Sequence, residues 1–207
     1  MNLAFFGFLV MSIAILFISE IARRKLNLPT EITRRATHVV AAFIAAISSL
    51  FLDKWLIVVG CLLFAGIMFL SRRTSLFNSI QKVKRKSLGE VFLPLSEAIT
   101  ALIFLPIGRI EFQYGVLVMG LSDPLAGFIG TRFGKHEIKI LGNTKSLEGS
   151  LSFFLCTLML TLVFAPTIGI NLLILPLLLT LIEICLGYGT DNLVLPIAGA
   201  TLLSFCI

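Results

Sequence analysis

Apolar residues run along this chain in long blocks, each closed by a shorter polar stretch, over about 3–22, 36–52, 55–70, 90–106, 112–130, 149–166, 169–186 and 192–207. At 1.5 Å per residue, blocks of this length approach the ~30 Å of a bilayer's hydrocarbon layer. None shows the strict alternation of barrel strands. The pattern predicts an all-α membrane bundle of about eight transmembrane helices, with seven to nine allowed because several blocks are short. Two weaker patterns lie between blocks. Leu76, Phe77, Ile80 and Val83 fall at helical spacing among Arg72, Arg73, Lys82 and Lys84, which predicts a basic amphipathic segment over 71–89. His136-Glu137-Ile138-Lys139-Ile140 alternates and Gly142-Asn143 is a turn signal, so the loop 131–148 can hold a short hairpin.

Composition removes the soluble alternative. With 57% apolar and 14% charged residues over 207 positions, and a mean hydropathy of +1.03, the chain lacks the polar surface of a soluble fold. The whole of 1–207 reads as one integral membrane domain. The net charge of +6 is chiefly a topology signal. With eight spans, the loops at 23–35, 71–89 and 131–148 share one side and hold all the basic residues except Lys54 and Arg109. Basic loops stay cytoplasmic, so both termini are placed outside. Only Met1 and Asn2 precede the first block, which argues against a cleaved signal peptide and keeps that block as the first span. Nucleic acid is a poor partner for such a chain; membrane lipids and phosphorylated solutes suit its basic face. Cys61, Cys156, Cys185 and Cys206 are isolated and read as packing residues, with neither a disulfide nor a metal–thiolate site.

Acids inside the apolar blocks carry the candidate chemistry, because an ionisable group at that depth needs a partner or a watery cavity. Glu90 stands at the entrance of the fourth block and Glu97 about 10 Å deeper. Asp123 lies in the fifth block and Glu183 about one turn inside the seventh, with Asp191 and Asn192 just beyond. Glu97, Asp123 and Glu183 fall in the cytoplasmic half on three helices, an arrangement suited to a hard divalent cation or to a proton or cation pathway. Ser122, Ala126, Gly130 and Gly134 recur every four residues. That stripe reads either as close helix packing or, with Gly127 and the acid beside it, as a place where phosphate meets backbone N–H groups. Pro124 adds a local break. Lys145 and Ser146 precede the sixth block, where a helix N-terminus favours an anion. Arg34, Arg35 and His38 at the start of the second block read either as anchoring or as phosphate contacts with a histidine facing the site.

Soluble nucleotide signatures fail letter by letter. A P-loop ending at Gly134-Lys135 would need glycine at 129 and Ser or Thr at 136, where the chain has Ile129 and His136. Gly187-Tyr188-Gly189 is followed by Asn192 where a dinucleotide fingerprint needs its third glycine.

Four motifs in order, over about 35–200, resemble the CTP-dependent polyprenol and lipid kinases, the family of dolichol kinase, phytol and farnesol kinases and a CTP-using diacylglycerol kinase. They are Arg34-Arg35…His38, Arg85…Ser87-Leu88-Gly89-Glu90…Pro94, Asp123 with Gly127, Gly130, Phe133 and Gly134, and Lys145-Ser146-Leu147-Glu148-Gly149 followed by Glu183…Asp191-Asn192…Pro196. The resemblance implies transfer of the γ-phosphoryl group of CTP to a lipid hydroxyl, with Mg²⁺ or another divalent ion. It makes Asp123, Lys145 and Glu148 the catalytic candidates and Asp123, Glu183 and Asp191 the metal candidates. Gly127, Gly130, Gly134, Lys145, Ser146, Asn192, Arg34 and His38 become the nucleotide candidates, with Glu90 and Glu97 as further polar positions. Pro124 departs from the small residue expected after that aspartate. An isoprenoid acceptor such as phytol, farnesol or dolichol leads. Diacylglycerol phosphorylation, cytidylyl transfer to phosphatidate and a small cation-coupled transporter remain as alternatives, and the Lys145–Gly149 block has no evident transport role.

Overall fold

The computed structural model describes residues 3–72, 77, 80, 88–140 and 143–207. Among the described residues, eight helical rods stand where the apolar blocks predict them: α1 (Leu3–Leu26), α2 (Thr30–Ser48), α3 (Lys54–Ser71), α4 (Gly89–Phe104), α5 (Arg109–Phe133), α6 (Leu147–Phe164), α7 (Asn171–Cys185) and α8 (Asp191–Ser204). Four of them, α1, α3, α5 and α6, are long and apolar enough to cross a membrane by length and composition. The 71–89 amphipathic segment lies mostly outside the described residues. Its Phe77 and Ile80 are buried with Leu16 and Met68, and Phe77 meets the Phe17 ring edge-on at 5.5 Å.

The helix ends follow local chemistry. Pro29 precedes α2 and Glu31 occupies its first turn, so the helix begins six residues before the apolar block, with a charged turn extending past it. Asp53 caps α3 by accepting hydrogen bonds from the N–H groups of Trp55 (2.9 Å) and Leu56 (3.1 Å). Ser146 does the same for α6 through the N–H of Gly149, at 3.1 Å. Helix α5 contains one wide turn, Val118–Ser122, where the ladder takes the π form. Pro124 follows at once; it has no N–H to give to Gly120 and its ring crowds that carbonyl, so a widened turn there accommodates it.

Two apolar clusters fill the interior. One joins Ala42, Ala45, Ile57, Ala98, Ala101 and Phe112; the other gathers Tyr114, Met119, Phe153, Leu179, Leu195 and Leu203. Small residues let the rods approach closely. A Cβ on Gly115 would strike the Pro196 carbonyl of α8, and one on Gly120 would strike the Ala42 methyl of α2. Within this packing, Tyr114 shares a 2.9 Å hydrogen bond with Thr161. The outer faces carry large exposed apolar side chains such as Phe6, Val10, Leu63, Phe69, Leu151, Met159 and Leu177.

The predicted hairpin is present as β1 (Glu137–Ile140) and β2 (Asn143–Ser146), antiparallel with Ile138 opposite Lys145. Its turn residues Leu141 and Gly142 lie outside the described residues.

Candidate active site

The C-terminal ends of the odd-numbered helices and the N-terminal ends of the even-numbered ones meet at one end of the bundle. Charged and amide contacts tie them there: Arg72 to Glu90 at 2.6 Å, Asn192 Nδ2 to the Gly89 carbonyl at 2.7 Å, and Lys145 to Glu183. Asp123 is at the centre. It is half-buried just after the wide turn, within electrostatic reach of Asp191, Lys145, Arg34 and Glu183. Those groups arrive on α8, β2, α2 and α7, so the site exists only once distant parts of the chain have folded together.

The hairpin positions Lys145. Strand alternation puts Lys145 and Ser146 on opposite faces of β2. Lys145 turns to Glu183, whose second oxygen takes a 3.3 Å hydrogen bond from Ser150. Ser146 turns to α5, where Cβ atoms on Gly130 and Gly134 would each stand 2.8 Å from its Oγ. Next to the hairpin turn, Asn143 lies so close over Gly187 that any Cβ there would overlap its side chain. The α7–α8 turn is tight, with Tyr188 at φ 55° and Gly189 at φ 90°, the second a conformation glycine adopts freely. The hairpin is thus clasped to this turn through Asn143 and to α7 through Lys145.

Two faces of α5 divide the glycines. Gly130 and Gly134, with Ala126, take the close crossing of α6 at Ser146 and Gly149, so the packing reading holds for them. Gly127 faces α2, and a Cβ there would stand 2.8 Å from Cζ and Nη2 of Arg35. Arg35, which the sequence allowed as either an anchor or a phosphate contact, therefore lies directly over the Asp123 helix. Arg34 and Arg35 are both held by Glu31, at 2.8 and 2.9 Å. Burial raises the Glu31 carboxyl, but hydrogen bonds and charge from Arg34 and then Arg35 outweigh it and leave the pKa below its ordinary value.

The other sequence candidates fall as follows. His38 is buried on α2, its Nε2 has no hydrogen-bond partner among the described residues, and its carbonyl lies close to Gly120. Asn192 is buried with its amide on Gly89, and the N–H of Asn192 reaches Asp191 Oδ1 at 3.0 Å. Glu148 lies away from Lys145 at the exposed surface, paired with His136 at 2.8 Å. It borders an open cleft of about 450 Å³ lined by Arg132, Phe133, Gly134 and Lys135. Glu90 is held by Arg72. Glu97 does not join the Asp123 group; it faces α3, where the Cys61 thiol reaches Oε2 at 3.8 Å. Among the described residues, no three His, Cys, Asp or Glu side chains stand close enough to hold a metal ion between them.

The chain is 31% identical over 196 residues to the phytol kinase of Synechocystis, an alignment covering 90% of this chain and 84% of the relative. The chain belongs to the polyprenol and lipid kinase family. A second relative, an uncharacterized protein of Methanocaldococcus jannaschii, is 31% identical over 149 residues, 68% of this chain and 75% of its own. The dolichol kinase sec59 of Schizosaccharomyces pombe is 44% identical over 48 residues, 23% of this chain and 9% of that kinase. No family model and no solved structure matches the chain. For a member of this kinase family, the useful additions from the structure are Arg35, Ser150 and Asn143. Ser150 lies in the first turn of α6, four residues past its cap, and carried no sequence signal of its own, while Asn143 signalled the hairpin turn but not its contact with Gly187.

Proposed function

We propose that the protein is an integral membrane kinase that transfers the γ-phosphoryl group of CTP to the hydroxyl of an isoprenoid alcohol such as phytol, farnesol or dolichol. The observation that carries this reading is the convergence on Asp123 of Lys145, Arg34 and Asp191 at one end of an apolar bundle. Kinship with a phytol kinase and, over a short stretch, a dolichol kinase supports the acceptor class. All eight helices would cross the bilayer, with both termini outside and the Asp123 end in the cytoplasm, as the basic loops require.

The donor set suits Mg²⁺. That ion is commonly held by one or two carboxylates together with substrate phosphates, and Asp123 and Asp191 supply two. Glu183 is taken up by Lys145 and Ser150 and is better read as the residue that positions Lys145. The ion, when bound, would offset charge on the phosphate oxygens. The chain's own groups do the rest. Lys145, Arg34 and Arg35 bring positive charge to the phosphates, and their ties to Glu183 and Glu31 fix their direction beforehand. Asp123, beside the incoming hydroxyl, is placed to take its proton as the lipid oxygen bonds to the γ-phosphorus. The bond to the β,γ-bridging oxygen breaks, and CDP leaves with that oxygen. The nucleotide enters from water past the basic cleft at Arg132 and Lys135, while the lipid enters sideways from the bilayer.

Purified protein in nanodiscs, given γ-labelled CTP or ATP, Mg²⁺ and a panel of phytol, farnesol, a polyprenol and diacylglycerol, tests the whole reading. Labelled prenyl phosphate formed from CTP is the expected product. A CDP-lipid with pyrophosphate, or no labelled lipid with any pair, overturns it.

A further inference from the structure

Glu97 is a buried acid that the Asp123 site leaves unused, and it borders a cavity. It is only 6% exposed, yet among the described residues its Oε1 has no hydrogen-bond partner. It borders a cavity of about 20 Å³ whose other walls are Phe8, Ile15, Ala41, Phe64 and Pro94, with Ser12 and Cys61. A site of roughly 10–15 Å³ is enough for one water-sized group, so the space at Glu97 admits a single hydroxyl and no phosphate.

A water molecule suits this cavity poorly. Buried waters usually make about three hydrogen bonds, and besides Glu97 Oε1 the cavity offers only the acceptor lone pairs of Ser12, which already donates to the Phe8 carbonyl at 2.8 Å, and the Cys61 sulfur, engaged with Glu97 Oε2. A hydroxyl at the end of a hydrocarbon chain needs only one such bond. It can give a proton to a carboxylate or accept one from a carboxylic acid, and its chain prefers the apolar walls. The side of the cavity towards the bilayer is α1, the least buried of the four long apolar helices. The cavity also lies next to the kinase site. Ala41 lines it, while Ala42, the next residue of α2, packs on Gly120 of the wide turn that leads into Asp123.

We propose that the Glu97 cavity is the docking site for the hydroxyl head of a membrane lipid alcohol, with Glu97 as its hydrogen-bond partner and α1 and α3 guiding its chain. Taking that lipid as the phosphoryl acceptor rests on the kinase reading and requires its hydroxyl to leave Glu97 for Asp123 before transfer; the binding itself does not. Mapping a photoreactive phytol, its diazirine a few carbons from the hydroxyl, in nanodiscs without nucleotide tests the proposal. Labelling should fall on Phe8, Ile15 or Phe64, be competed by phytol at least about tenfold better than by the alkene of the same skeleton, and lose that preference in Glu97→Leu. Equal competition by alcohol and alkene in the wild type overturns the proposal without relying on any variant. So does labelling confined to other helices, or a Glu97→Leu protein that keeps the preference. If phosphorylation proceeds while the preference is absent, the docking site fails and the kinase reading stands. If the preference is found and no nucleotide supports phosphorylation, the docking site stands and the kinase reading fails.

Discussion

Asp123 and Glu97 are both carboxylates set into apolar helices, and their surroundings could hardly differ more. Around Asp123, positive and negative groups from four other elements converge and restrain one another, through Lys145 to Glu183 and Arg34 to Glu31. Around Glu97 there are apolar walls, one thiol, one hydroxyl and a carboxylate oxygen with no hydrogen-bond partner among the described residues. A dense set of mutually held charges can receive a highly charged ligand with little rearrangement. A lone acid in an apolar pocket can discriminate only a small, neutral, hydrogen-bonding group, because an unmatched partner leaves it unpaired. The contrast separates the two substrates of one reaction: one region is built for phosphates, the other for an alcohol.

The comparison is broken most severely at its charged side. Asp123→Asn should lower phosphoryl transfer about a thousandfold or more while leaving the protein folded by gel filtration in detergent, and chelating divalent cations should do the same to the wild type. Full activity in either case would remove the charged site from the chemistry. Lys145→Met should cost about a hundredfold in transfer and also strand Glu183 in the interior, a loss on the order of 3–5 kcal/mol. Adding Glu183→Met should restore most of the thermal stability and none of the activity, which separates the structural part of the pair from its part in catalysis. The two kinds of glycine sharpen the division further. Gly127→Ala pushes on Arg35 and should reduce activity about tenfold with little change in melting. Gly130→Ala pushes on Ser146 and should destabilise by about 1–3 kcal/mol instead. The smallest effect belongs to Glu31. Its pKa is lower in the folded protein, so its contribution is present above the ordinary carboxylate value and lost as pH falls through the folded one. The melting difference between wild type and Glu31→Gln should be ~1–2 °C at neutral pH and vanish on acidification.

Much of this was legible in the sequence, and the reasons are particular. Apolar blocks fix helices because every backbone polar group in such a stretch must be satisfied internally, so all eight rods were found with ends shifted by a few residues. The hairpin was visible from the alternation of 136–140 and the turn at Gly142-Asn143. Asp123 stood out as a charge against an apolar background, whereas Lys145 and Asp191, in polar connections between blocks, were singled out by the motifs around them. What stayed hidden depends on rotation about helix axes and on long-range neighbours. A stripe at four-residue spacing predicts a face of α5 but not which helix it meets, so Gly130 could be read as a phosphate cradle as easily as the contact to Ser146. Spacing sets Glu97 two turns beyond Glu90, but spacing carries no direction, and the side chain turns to Cys61 and not to Asp123.

The wide turn at Val118–Ser122 has a consequence for how related chains are aligned. A π turn holds one residue more than an α turn, so everything after it is rotated by about 100° relative to a helix lacking that residue. A chain of this family with a one-residue gap between 118 and 122 would carry the same letters afterwards and present a different face. Its aspartate would match in the alignment and point elsewhere in space, so an annotation transferred through that gap would assign the right residue to the wrong place.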